Sequence, residues 1–194
     1  MIYGLVRLTA PALEPLSLTE VKAHLRVDGN EEDAYIASLL AAARELTESL
    51  TGRAMITQTF EMSLDGWRDD GRAVELPRAP VQSVSVIEIV DDAGVRQSVD
   101  TDSFELDLAR TPARILRKPG ASWPVPGPCL GGIKVTFVAG FGDAGGDVPS
   151  GLRQAILMVV AHWFERREAA VAKGLAGLPF GITSLVQPYL AVRL

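Results

Sequence analysis

A strand-like run ending at Ala139 leads into Gly140-Phe-Gly-Asp-Ala-Gly145. This is the G-x-G-x-x-G spacing that lets a backbone approach a pyrophosphate at the start of a helix. Here the chemistry does not follow the spacing. The loop runs on through Gly146, Asp147 and Val148 before the next helix, so its glycines do not open that helix. Asp143 and Asp147 put carboxylates where a pyrophosphate would sit, and no strand follows the helix to complete a βαβ unit. The bland reading is a flexible return loop. A nucleotide-binding enzyme on residues 140–145 stands only as an alternative function, with thermal stabilisation by saturating nucleotide as its test.

The other reactive residue types are as sparse. His24 and His162 are the two histidines. His162 and Glu165 share a helical face at a spacing that could hold two metal ligands, but no third ligand is evident. Glu31, Glu32 and Asp33 suit the positive end of a helix and need no cation to explain them. Ser17 and Ser150 lack a partner with base chemistry in a readable motif. Arg166-Arg167 is a pair and not a basic patch. Trp67, Trp123 and Trp163 are not interleaved with basic residues, so they offer no stacking platform for single strands. Trp163 reads as core, and Trp67 and Trp123 as packing anchors or contact residues in loops. The expectation is no catalytic residue, no metal and no cofactor.

Composition narrows the class. The chain has 194 residues, is 47% hydrophobic and 22% charged, and carries a net charge of −5. It can bury a core and is not of disordered composition. Nothing in it grips nucleic acid through phosphates, although an acidic chain can surround DNA that must slide. Cys129 is the single cysteine, which excludes an intrachain disulfide and a thiolate cage. The N-terminus lacks a signal-peptide plan, and no apolar run reaches the ~18 residues of a membrane span. The natural expectation is a soluble, cytosolic chain.

Helices and strands are segregated along the chain. Ser17-Leu-Thr-Glu20 is a capping box with Leu16 and Val21 as a hydrophobic staple, so a helix is expected near 18–26, stopped by Asp28-Gly29. Asn30 can cap a second helix near 31–51, with Tyr35, Leu39, Ala42, Leu46 and Leu50 along one face and Gly52 at its end. Residues 56–139 read as strands: 57–64, a hairpin of 84–90 with 95–99 across Asp91-Asp-Ala-Gly94, 104–108, and 133–138. Residues 118–132 read as loop. Helix resumes near 149–168 with Leu152, Ile156, Val159, Val160 and Trp163 buried. The fold class is therefore α+β: a mostly helical core built from 1–55 and 140–194, with a β-rich insertion at 56–139.

The last stretch carries the strongest signal. Phe180, Leu185, Tyr189, Leu190, Val192 and Leu194 make an apolar tail, set off from the preceding helix by a hinge of Gly174, Gly177 and Gly181. Termini are normally polar and frayed. This one must find a groove, either on its own domain or on another protein.

Four blocks together resemble the head–tail connector (adaptor) proteins of tailed bacteriophages and of gene transfer agents. They are Leu18-Thr-Glu-Val-Lys-Ala-His-Leu25, then Leu76-Pro-Arg-Ala-Pro-Val-Gln-Ser-Val84, then Val135-Thr-Phe-Val-Ala-Gly-Phe-Gly142 leading to 148–156, and Leu178-Pro-Phe-Gly to Pro188-Tyr189. The resemblance implies a structural protein of a virion or phage-like particle, assembled in the bacterial cytoplasm. It implies a ring of twelve copies beneath the portal, with DNA passing through without sequence-specific binding. A stopper or other neck protein would join on the tail side. It places portal binding on Leu185, Pro188, Tyr189, Val192, Arg193 and Leu194. The family pattern has a basic residue directly after the Pro-Tyr pair; Leu190 stands there, and Arg193 is the nearest cation. Another neck protein, such as a stopper or tail-completion factor, is the nearer alternative.

Overall fold

The structure, a computed structural model, describes residues 3–67, 73–127, 130–166 and 180–190. It is an α+β fold, with 35% of the described residues helical and 29% in strands. Strand and helix are thus nearly balanced, and the expectation of a mostly helical core does not hold. Among the described residues the chain divides into two compact units, one of residues 1–11 and 57–140, the other of 12–56 and 141–194.

Among its described residues the first unit holds eight strands, all paired antiparallel. They are β1 (Gly4–Thr9), β2 (Gln58–Leu64), β3 (Val74–Glu75), β4 (Val81–Val90), β5 (Arg96–Val99), β6 (Phe104–Asp107), β7 (Arg114–Arg117) and β8 (Ile133–Ala139). One sheet has the order β1-β2-β8-β4-β5 and the other β3-β7-β6. The long strands owe their place to alternation: Ile133, Val135, Phe137 and Ala139 of β8 are all buried and the residues between them are not. Phe60 stacks on its registered partner Phe137 with ring centroids 5.7 Å apart. The expected hairpin is present, with Ile87 facing Val99 and Val90 facing Arg96. Asp91 holds its turn by accepting from the N–H groups of Ala93 and Val95, both at 2.9 Å. Those backbone bonds, led by that from Val95, keep its carboxyl below the usual range.

Strands β1, β3 and β7 are additions to the sequence reading. The two tryptophans it left open are packing anchors. Trp67 and Trp123 stack at 4.3 Å, both lie against Phe104, and the Trp67 indole donates to the Pro124 carbonyl at 2.7 Å. This pins part of the proline-rich loop.

The second unit is built from α1 (Leu18–Leu25), α2 (Asp33–Thr51), α3 (Ser150–Arg166) and α4 (Phe180–Val186). The capping box forms as expected: Ser17 Oγ accepts from Glu20 N at 3.2 Å, and Glu20 Oε2 accepts from Ser17 N at 2.8 Å. Ser17→Ala is expected to cost about 1 kcal/mol, read as a lowered unfolding midpoint. The bond from the Ser17 N–H, foremost among several, holds the Glu20 carboxyl below its ordinary range. A depressed carboxylate stabilises above its unfolded pKa and loses that contribution as pH falls through the folded value. Thermal melts of wild type and Glu20→Gln should therefore differ at pH 7 and converge as the pH falls through the lowered folded value.

α1 ends within a residue of the expected boundary, but its stop is Arg26 and not Asp28-Gly29: Arg26 takes a left-handed conformation with φ of 58° and its N–H caps Ala23 at 3.3 Å. Asn30 does not cap α2. Its side chain accepts from Lys22 Nζ at 2.9 Å instead, beside the Lys22–Asp33 ion pair at 2.6 Å.

The buried face of α2 is also shifted by one residue. Ile36, Leu40, Ala43, Arg44, Thr47, Glu48 and Thr51 are buried, whereas Tyr35 and Ala42 are exposed and Leu39, Leu46 and Leu50 lie at the margin. Polar residues complete that face, so apolar periodicity alone points to its neighbour. Thr47 and Thr51 satisfy their hydroxyls on the carbonyls four residues earlier. Arg44 binds Glu14 at 2.8 Å and Glu48 at 3.0 Å, and the other Glu48 oxygen accepts from Met55 N at 2.8 Å. α3 buries Leu152, Ala155, Ile156, Val159 and Val160, with Trp163 packed at the margin of the same core.

Candidate functional site

The C-terminal segment is a packed element up to its last described residues. Ile182 and Val186, one helical turn apart on α4, are fully buried among Leu152, Ile156, Leu40 and their neighbours. Leu185 and Tyr189 lie half-buried against that same core. A tight turn at Gln187–Tyr189 follows α4, and Leu190 N bonds Gln187 O at 3.2 Å. Arg53 latches this turn: its Nε donates to the Tyr189 carbonyl at 3.0 Å, and its guanidinium sits 5.6 Å from the Tyr189 ring centroid. Burial lowers the pKa of Arg53.

Of the six residues expected to bind a portal, Leu185 and Tyr189 thus face their own helices, and Pro188 is exposed. Val192, Arg193 and Leu194 lie outside the described residues. The hinge expectation divides in the same way. Gly174 and Gly177 lie outside the described residues. Gly181 is the second residue of α4, where an added Cβ would come within 3.0 Å of Met158 Cε. The signal that sequence reasoning missed is Arg53, a cation next to a helix-ending glycine, with no local hint of its partner 136 residues away.

The glycine loop is closed on itself. Asp147 accepts from Ala144 N at 2.9 Å, so one of the amides a phosphate would use is occupied by a carboxylate. An added Cβ on Gly142 would collide with Asp147, and one on Gly145 would lie 2.6 Å from the Pro15 carbonyl oxygen. The glycines serve close packing. Gly145→Ala should destabilise the helical unit by about 1–3 kcal/mol, because backbone must give way, and saturating ATP or NAD should leave the wild-type melting temperature unchanged. His24 is exposed, and no cluster of three metal-ligating side chains occurs among the described residues. No described helix is long and apolar enough to cross a membrane.

Comparison with known proteins gives this geometry its context. Residues 14–179 match the family model of head completion proteins. The chain belongs to the head completion protein family. The fold matches a chain from the neck of an empty gene transfer agent particle, computed with C6 symmetry, at 32% identity and a TM-score of 0.81, over 98% of this chain and 97% of that one. A chain from the virion of a native gene transfer agent particle matches at 32% identity and a TM-score of 0.80, over 98% and 96%. A chain from the native particle's neck, computed with C12 symmetry, matches at 31% identity and a TM-score of 0.78, over 98% and 97%. No curated protein sequence matches this head completion family member.

Proposed function

We infer that this chain is a head–tail adaptor in the neck of a phage-like particle, and that its C-terminal segment anchors it to the portal. The adaptor role rests above all on one observation: the chain follows neck proteins of gene transfer agent particles end to end, over 98% of its length at 32% identity. Its work is structural. The symmetric necks of those relatives support a ring of identical subunits, twelve where the symmetry is C12.

The portal anchor comprises Leu185, Pro188, Tyr189, Val192, Arg193 and Leu194. Ile182 and Val186 keep α4 on its own unit and are the mount, and half-buried Leu185 with the chain from Pro188 onward is the reaching part. Each tail contributes modest apolar burial, on the order of 25 cal/mol per Å² before ordering costs. A ring presents many tails together, and avidity multiplies the weak contacts. A stopper or other neck protein joins the opposite face of the ring. The net charge of −5 per copy repels the DNA backbone and keeps it moving through the channel.

The test is co-purification with the portal of the same particle, using the full chain and a chain ending at Leu190. That truncation spares α4, whereas one ending at Gly181 would remove Ile182 and Val186 from the core. Capture of the full chain and at least tenfold weaker capture of the shortened one is the expected result. Equal capture would move the anchor off residues 191–194.

A further inference from the structure

β1 is a strand without enough to cover. Five of its six residues are exposed, Val6 and Leu8 at 55% and 54%. Its run Leu5-Val-Arg-Leu8 has the apolar content of a strand buried on both faces. It lies at the end of the five-stranded sheet, its ladder to β2 broken by a bulge between Arg7 and Thr9. Edge strands of monomers are normally blunted by charge or proline, and within β1 the only charge is Arg7.

We propose that β1 is a subunit contact: Val6 and Leu8 dock on a second copy of this chain, against the flank formed by its β4–β5 hairpin. This rests on the ring reading above and names the surface that builds the ring. Two features select that occupant. A closed ring of identical subunits uses two different patches on each copy, and β1 and β5 are the opposite edges of one sheet. Charge also matches. Residues 1–11 contain no acidic side chain in a chain of net charge −5, so β1 is a surface that another acidic copy can approach. The hairpin flank carries Asp91, Asp92, Asp100 and Asp102, while its one cation, Arg96, is engaged by Glu61 at 2.7 Å and Glu88 at 3.3 Å within the same subunit. Exposed Val95 gives that flank an apolar spot of its own. The contact is made by side chains and not by a shared strand ladder. A sheet twisting by roughly 20–25° per strand does not continue flat around a closed ring.

The experiment compares wild type with the double variant Val6→Asp/Leu8→Asp, both sites being exposed so that the melting temperature should hold. Each is incubated in excess with purified portal, and copies per portal are counted by native mass spectrometry. The inference expects complete rings with wild type. With the variant it expects at least tenfold fewer complete rings, any chains still bound being isolated copies. Rings at wild-type frequency with the variant would overturn it. Where the variant is not captured at all, sedimentation of the two chains alone separates the causes: self-association that the variant weakens tenfold upholds the subunit contact, and equal self-association assigns β1 to the portal and overturns it. If wild type itself fails to bind the portal, the adaptor reading fails separately, and sedimentation of the chain alone decides the matter. Self-association that the variant weakens tenfold would uphold the β1 contact, and equal behaviour of the two chains would overturn it.

Discussion

Glu48→Ala should cost the helical unit about 3–5 kcal/mol, among the largest effects available from one substitution outside the apolar core. Glu48 is buried, with 7% of its surface exposed, and it serves two partners. One oxygen pairs with Arg44 at 3.0 Å and the other accepts the Met55 N–H at 2.8 Å. Alanine would strand a guanidinium whose side chain is 5% exposed, leaving only Glu14 and the more distant Glu45 to compensate it. It would also leave a buried amide unpaired. The double substitution Arg44→Met/Glu48→Leu should recover part of the loss, since a buried pair replaced by apolar groups is often neutral. It should not recover all of it, because the Met55 amide stays unpaired at a cost of about 1–3 kcal/mol. Urea unfolding followed by the far-ultraviolet helix signal measures both. A Glu48→Ala loss under about 1 kcal/mol would show that Glu48 is solvated and the network is not buried.

Ile182→Asp should release α4 from the helical unit. Ile182 is 1% exposed and sits among Val159, Ile156 and Val186. A carboxylate there has no partner, so detaching a seven-residue helix is cheaper than burying the charge. The expected outcome is protease cleavage around residue 180 at least tenfold faster than in wild type, while residues 12–56 and 150–166 keep their helix signal. Cleavage at the wild-type rate would mean that α4 is not held by this side chain. The same variant should also weaken capture by the portal, because an anchor without its mount has more entropy to lose on binding.

The elements that the sequence makes legible are those with local causes. α1 announces itself through Ser17 and Glu20, and the β4–β5 hairpin through Asp91-Asp-Ala-Gly94. β8 alternates cleanly enough to be placed within a residue. What stays hidden depends on partners far away in sequence. β1 is short and has no turn beside it; only its ladder to β2, more than fifty residues on, makes it a strand. The buried face of α2 is obscured because Arg44, Thr47, Glu48 and Thr51 belong to it, and their burial is tolerable only through bonds to Glu14, Met55 and helix carbonyls. The tail shows why apolar content identifies a site without placing it. Ile182 and Val186 stand at helical spacing and are buried, whereas Leu185 and Tyr189, the more conspicuous apolar residues of the tail, are only half covered. Gly181, read from sequence as part of a hinge, lies in α4 with Met158 opposite it.

The adaptor reading meets its most direct test in particles assembled without this chain and viewed by electron microscopy. The account predicts portal-bearing heads and separate tails that do not join, with joining restored by the full-length chain. Tailed particles at normal yield without the chain would contradict it.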